Sequence, residues 1–230
     1  MLRRRRFAQA ALLLAGAHRS TAFAAPPARI GILGVTEWSR GDRSGAPFVD
    51  ELERLGHVEG RNLVLIPRVS GYDMTSLDRL ARELVDLKVD VIFSTGGTPS
   101  ALAAKRATST IPIVMEGARD PVADGLVASL ARLGGNITGN ADIGPELMVK
   151  RMQLVMEAAG TSGPAGYLAY EPNLERASDL RIVAALDAYA RQRGAPLVLV
   201  PVKKVTGGGG LEAAFATLGR LGAAAAVINN

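Results

Sequence analysis

From residue 29 onward the chain keeps one rhythm: short apolar runs rich in Ile, Val and Leu alternate with longer segments whose apolar residues return at helical spacing. Residues 29–35 (RIGILGV) read as a buried strand. Residues 47–55 read as a helix with Phe48, Val49, Leu52 and Leu55 on one face, stopped by Gly56. Strands are expected at 62–69, 89–94 and 111–115. Helices are expected at 74–87 (Leu77, Leu80, Ala81, Leu84 and Leu87 inward), 99–108 and 122–133. One helix between each pair of strands demands parallel pairing through right-handed crossovers. The strands lack polar alternation, so helices should cover both sheet faces.

The rhythm restarts after Gly139. Helices are expected at 146–159, 174–192 and 211–221, and strands at 166–169, 196–202 and 224–228. Two βαβ sets in succession imply two Rossmann-like lobes with parallel sheets, residues 28–140 and 141–230. Gly134, Gly135 and Gly139 supply a crossover able to absorb rotation between them. The glycine run Gly207–Gly210 lacks the Lys-Ser/Thr ending of a phosphate loop and reads as a flexible turn. The second set stops on a strand at Asn229-Asn230 without a closing helix, so the second lobe is expected to be truncated.

Residues 1–24 have the layout of a cleavable export signal. Arg3 to Arg6 carry positive charge, an Ala/Leu-rich run over 7–17 is too short to span a bilayer, and Ala22-Phe23-Ala24 offers a small-x-small cleavage pattern. The Arg4-Arg5-Arg6-Phe7 run also resembles a twin-arginine signal. A periplasmic location follows, with no stable membrane anchor after cleavage; a lipid anchor would need a Cys, and the chain has none. The formal charge of +5 belongs to this leader. Without its five arginines, 22 basic residues face 22 acidic ones, which leaves no electrostatic footprint for nucleic acid.

Enzymatic chemistry finds little purchase. His57 is the one histidine outside the leader, so no His/Cys cluster exists for a metal, and no Gly-x-Ser-x-Gly elbow occurs. The carboxylate pairs Asp50-Glu51 and Asp78-Glu83 have basic neighbours at helical spacing and read as solvated faces. No cofactor is expected.

Four segments, in order and at consistent spacing, resemble one family. They are residues 55–63 (LGHVEGRNL), 97–114 (GTPSALAAKRATSTIPIV), 120–131 with Asp120-Pro121-Val122 and Gly125-Leu126-Val127, and 134–139 (GGNITG). The chain is similar there to the ABC-transporter substrate-binding family that includes tryptophan- and other amino-acid-binding lipoproteins. The resemblance is strong over 29–139 and weak beyond. It implies a type I periplasmic-binding-protein fold, with a small-molecule ligand held between two lobes and passed to an ABC permease of the inner membrane. Departures fall at the loop 36–42 (TEWSRGD), at Arg119 before Asp120-Pro121, and at Tyr170-Glu171-Pro172-Asn173.

Parallel α/β sheets bind ligands beyond the carboxyl ends of their strands, which selects the candidate residues. Thr95, Gly96 and Gly97 permit close backbone approach. Thr98 suits an N-cap and Pro99 the first helical position, so N–H groups near Gly97, Thr98 and Ser100 offer an anion cradle. The loop after the first strand offers Thr36, Glu37 and Trp38; the tryptophan either stacks on a ligand or covers a lobe edge. Beyond the fourth strand lie Glu116, Gly117 and Asp120, the last suited also to capping. Tyr170, Glu171 and Asn173 follow a strand of the second lobe, and Asn229 and Asn230 follow the last one. Two other readings stay open: an exported α/β enzyme using Glu116, Asp120 or Glu171 as acid or base, and a sensor lobe that presents its ligand to a partner.

Overall fold

A computed structural model describes residues 26–42, 45–142, 144–203 and 209–228. The leader, Gly207 and Gly208 of the glycine run, and Asn229-Asn230 lie outside the described residues.

The first sheet has five strands in the order β2-β1-β3-β4-β5: β1 (Ala28–Gly34), β2 (Leu63–Val69), β3 (Val91–Ser94), β4 (Ile113–Arg119) and β5 (Ile137–Asp142). The second has three in the order β7-β6-β8: β6 (Ala165–Tyr170), β7 (Leu197–Val202) and β8 (Ala225–Ile228). Every pairing is parallel. The helices are α1 (Gly45–Arg54), α2 (Leu77–Asp86, entered through a 3-10 turn at Met74–Ser76), α3 (Thr98–Ala107), α4 (Gly144–Ala158), α5 (Ala177–Gln192) and α6 (Gly209–Arg220). The architecture is that of the expected α/β class, with helices packed on both faces of each parallel sheet.

The strands' period of two sorts their side chains. From β1, Leu33 faces α2 and α3, where it joins Leu80, Leu84, Ile92, Ala101 and Ile113; Ile32 turns the other way, toward Val49 of α1 and Leu63. In the second unit Tyr167 of β6 is fully buried with Met152, Met156, Ile182 and Leu186 of α4 and α5, while Leu168 packs with Val200, Ala214 and Leu218 under α6. One face of that sheet is thus covered by two helices and the other by α6, leaving Ile228 38% exposed.

One expectation is corrected. Residues 122–133 form no helix but a series of turns. Asp120 and Gly125 adopt positive φ (38° and 69°), and the amides of Leu126 and Val127 fold back onto the Pro121 carbonyl. Lys105 of α3 donates to the carbonyls of Gly125 and Leu126 (2.5 and 3.2 Å), replacing the bonds a helix would make. The apolar positions still do their work, since Leu126 and Val127 are buried. Residues 137–142, for which no element is expected from the sequence, form β5, with five of six residues exposed. Gly139 is part of this strand. A Cβ there would come within 2.0 Å of the Met115 carbonyl oxygen, so glycine permits β5 to lie flush on β4. The first sheet thus runs through Asp142, and α4 begins at Gly144.

Candidate ligand-binding site

In the order β2-β1-β3-β4-β5, β1 is flanked by β2 and β3, so crossovers depart in opposite directions and a crevice opens at its carboxyl end. The same reversal occurs at β6, flanked by β7 and β8. A cleft of about 600 Å³ runs between these two ends. It is lined by Val35, Thr36, Tyr72, Met74, Gly96, Gly97, Thr98, Pro99, Gly117, Arg119 and Asp142 from the first unit, and by Tyr170, Asn173 and Arg176 from the second.

The loop from β3 to α3 forms one wall. Gly96 (φ 84°) and Gly97 (φ 81°) both occupy conformations that side chains rarely adopt, and a Cβ on Gly96 would meet that of Val35 at 2.8 Å. The loop can therefore lie against the end of β1. Gly97 is the cap of α3, one residue earlier than expected, and Thr98 and Pro99 open the helix. The Thr98 hydroxyl is turned to β4, accepting from the Arg119 amide at 3.2 Å. Ser100 is fully buried and donates to the carbonyls of Thr95 and Gly97 (2.7 and 3.0 Å). It braces the turn from within, and Thr95 is buried beside it. The first-turn N–H groups have no partner inside the helix, as at any helix start, and the dipole adds positive potential at the cleft.

On β4, a register shift between Met115 and Ala118 throws out Gly117 (φ 64°), whose amide donates to Asn140 Oδ1 at 2.9 Å. Arg119 follows and reaches across to the second unit, donating to Asp179 at 3.1 Å; the two side chains are 19% and 1% exposed. Arg176 also approaches Asp179 and donates to Asn173 Oδ1. Burial pulls the Arg176 guanidinium below its ordinary value, and the charges of Asp179 and Asp124 pull it back up.

Of the candidate residues, Thr36, Gly96, Gly97, Thr98, Pro99, Gly117, Tyr170 and Asn173 line the cleft. Thr95 and Ser100 sit behind its wall. Trp38 lies elsewhere, edge-on to Phe48 (centroids 6.5 Å apart, 79° between planes), with Phe48 in turn stacked on Phe93. It packs on the apolar cluster of α1 and β1 and is not among the residues that line the cleft. Asp120 receives the Ala123 amide and pairs with Arg181 of α5 at 2.8 Å, so it joins the units beside the cleft. Glu37, Glu116 and Glu171 are not among the lining residues. Among the described residues no group of three His, Asp or Glu side chains is assembled to hold a metal ion.

Tyr72, Asp142 and Arg176 are lining residues that the sequence did not single out. Tyr72 carries a signal in the sequence, because Gly71-Tyr72-Asp73 is a turn at the carboxyl end of β2. It adopts φ 68° and hydrogen-bonds through its amide to Val35 at 2.9 Å. Arg176 becomes visible only once the helix start moves from 174 to Ala177, which leaves it as the cap of α5.

With this geometry in place, comparison with known proteins decides the family. Residues 35–207 match the model of the family described as "ABC transporter substrate binding protein". The chain belongs to that family. Its members are substrate-binding proteins, in keeping with a cleft walled by backbone turns. A segment of 113 residues, 49% of the chain, is 38% identical to the tyrosine-binding protein of Clostridioides difficile (strain R20291) and covers 32% of it. Among solved structures, a conserved domain protein from Vibrio cholerae is 28% identical with a TM-score of 0.66, matching 77% of this chain and 58% of that one. The ABC domain from Streptococcus pneumoniae, solved with L-Trp, is 23% identical with a TM-score of 0.64, over 76% and 57% of the two chains. The last likeness shows the fold. In each case the chain spans less than two thirds of the relative's length.

Proposed function

We propose that this chain is an exported solute-binding protein. It captures a small carboxylate-bearing ligand, an amino acid or an organic anion, between its two sheet units and delivers it to the permease of an ABC importer. The observation that carries this reading is the position of the cleft: the carboxyl ends of both sheets contribute to one space of about 600 Å³, large enough for a single small solute. The turn Gly96, Gly97 and Thr98 takes the anionic group through backbone donors at the start of α3. Thr36 and Gly117 complete that wall, and Tyr170 closes from the second unit. Family membership and the tyrosine-binding relative support the assignment.

The two sheet units act as separate domains that close on the ligand, with the bend falling between Asp142 and Gly144. The leader, residues 1–24, directs the chain to the periplasm and is removed there. Among the described residues no helix is long and apolar enough to cross a membrane. The enzyme reading loses its candidates, because Glu116 and Glu171 do not line the cleft and Asp120 is engaged by Arg181.

Titration calorimetry of the chain lacking its leader, against the amino acids and a set of small organic acids, tests the proposal. Saturable binding with the solute recovered unchanged is the expected result. Turnover of the solute, or heat from none of them, would refute it.

A further inference from the structure

Residues 119–124 of the first unit meet residues 176–181 of the second, at the start of α5. Arg119 pairs with Asp179 at 3.1 Å and Asp120 with Arg181 at 2.8 Å. Asp124 accepts from the Ser178 amide at 2.9 Å and from the Ser178 hydroxyl at 2.7 Å. This last contact is a helix cap. Ser178 is the second residue of α5, so its amide has no acceptor within the helix. Arg176, at the capping position, has a side chain that can only donate, and it makes no cap hydrogen bond. The missing acceptor comes from 54 residues away, on the other unit. Its charge also suits the positive end of the helix dipole. Ser178 is fully buried.

The loop presents Asp124 in a fixed position. The Asp124 amide donates to the Asp120 carbonyl at 3.2 Å, and Lys105 of α3 holds the two carbonyls that follow. The turns found at 122–133 in place of a helix thus have a use: they carry Asp120 and Asp124 to the second unit. Asp120, Asp124, Ser178, Asp179 and Arg181 are not among the residues that line the cleft, so no guest is needed to complete these contacts. Hydrogen bonds to a charged partner are the strong ones, each worth about tenfold in an equilibrium between joined and parted units. We infer that Asp124 is a cap supplied in trans, which latches the two units together without a ligand. Parting the units uncaps α5, and the uncapped helix favours their return. Admission of a solute requires the latch to part, and it re-forms once the solute is inside. The latch is a property of the fold and stands whatever the cleft binds.

The test compares the chain lacking its leader with its Asp124→Ala and Ser178→Ala variants, with no solute added. Small-angle scattering reads the separation of the units, and hydrogen exchange resolved to single amides reads the cap. In Asp124→Ala the radius of gyration should rise. Protection of the amides at 178 and 180 should fall about fivefold or more. The amides of β1 and β6 should keep their wild-type protection, which shows that both sheets are folded. Ser178→Ala removes the hydroxyl and keeps the amide, so it should move both readings the same way by less. An unchanged radius with lost protection makes Asp124 a cap without a latch. A larger radius with protection intact divorces opening from capping. Either result overturns the inference, as does a wild-type radius already equal to that of Asp124→Ala. Should Asp124→Ala not fold, the same outcomes in Ser178→Ala decide. None of these readings depends on the capture proposed above, which calorimetry tests separately.

Discussion

Gly96 has φ 84° and no room for a methyl group, because the Val35 side chain occupies that space at 2.8 Å. Gly96→Ala should therefore combine backbone strain with a clash and destabilise the chain by about 1–3 kcal/mol in urea titration. It should also weaken ligand capture, since the turn that presents the cradle must shift. At this scale the sequence was legible where a residue type has few uses. Paired glycines after a strand and before Thr-Pro admit little besides a tight turn into a helix. A lone tryptophan has more uses. Trp38 lies outside every apolar run and reads from sequence equally as a ring that stacks on a ligand or as cover for a lobe edge; Phe48, ten residues on, gives it an edge-to-face partner. Asp142 and Arg176 carried no local mark at all, because their place in the cleft depends on how two distant strand ends face each other.

Among elements, the eight strands and six α-helices of the described residues are legible in all but the stretch from residue 120 to residue 142. There the apolar residues of 122–133 are spaced as in a helix, but short of an uninterrupted run of helix formers they answer to tertiary partners. Lys105 is the decisive one, because its ammonium satisfies two carbonyls that a helix would have satisfied along its own axis. Lys105→Met keeps the aliphatic stem and removes the donor. It should cost about 1–2 kcal/mol and speed hydrogen exchange at the amides of Leu126 and Val127, with the sheet amides of β1 and β3 unchanged. β5 is illegible for the opposite reason: one buried residue, Ile137, is too little apolar signal for a strand, and its pairing with β4 is made by the backbone.

For the molecule as a whole, the contacts across the two units form a graded set. Asp179 is almost fully buried and takes Arg119 from the other unit. Asp124 accepts from both the amide and the hydroxyl of Ser178 at 2.9 and 2.7 Å. Asp120 and Arg181 pair with the arginine 59% exposed. Asp179→Ala strands a buried guanidinium and should cost about 3–5 kcal/mol in urea unfolding, with a larger radius of gyration by small-angle scattering as the units part. Arg181→Ala should cost less than about 1 kcal/mol and leave the radius unchanged. Ser178→Ala should fall between them, near 1–2 kcal/mol. The close fit of Gly139 against Met115 bears on the same motion. With β5 seated flush on β4, the first sheet is held together up to Asp142, beside the bend proposed above. Under the capture proposed above, a guest would meet the first unit's wall before Tyr170 of the second unit arrives, so Tyr170 would serve as the door and not as the lock.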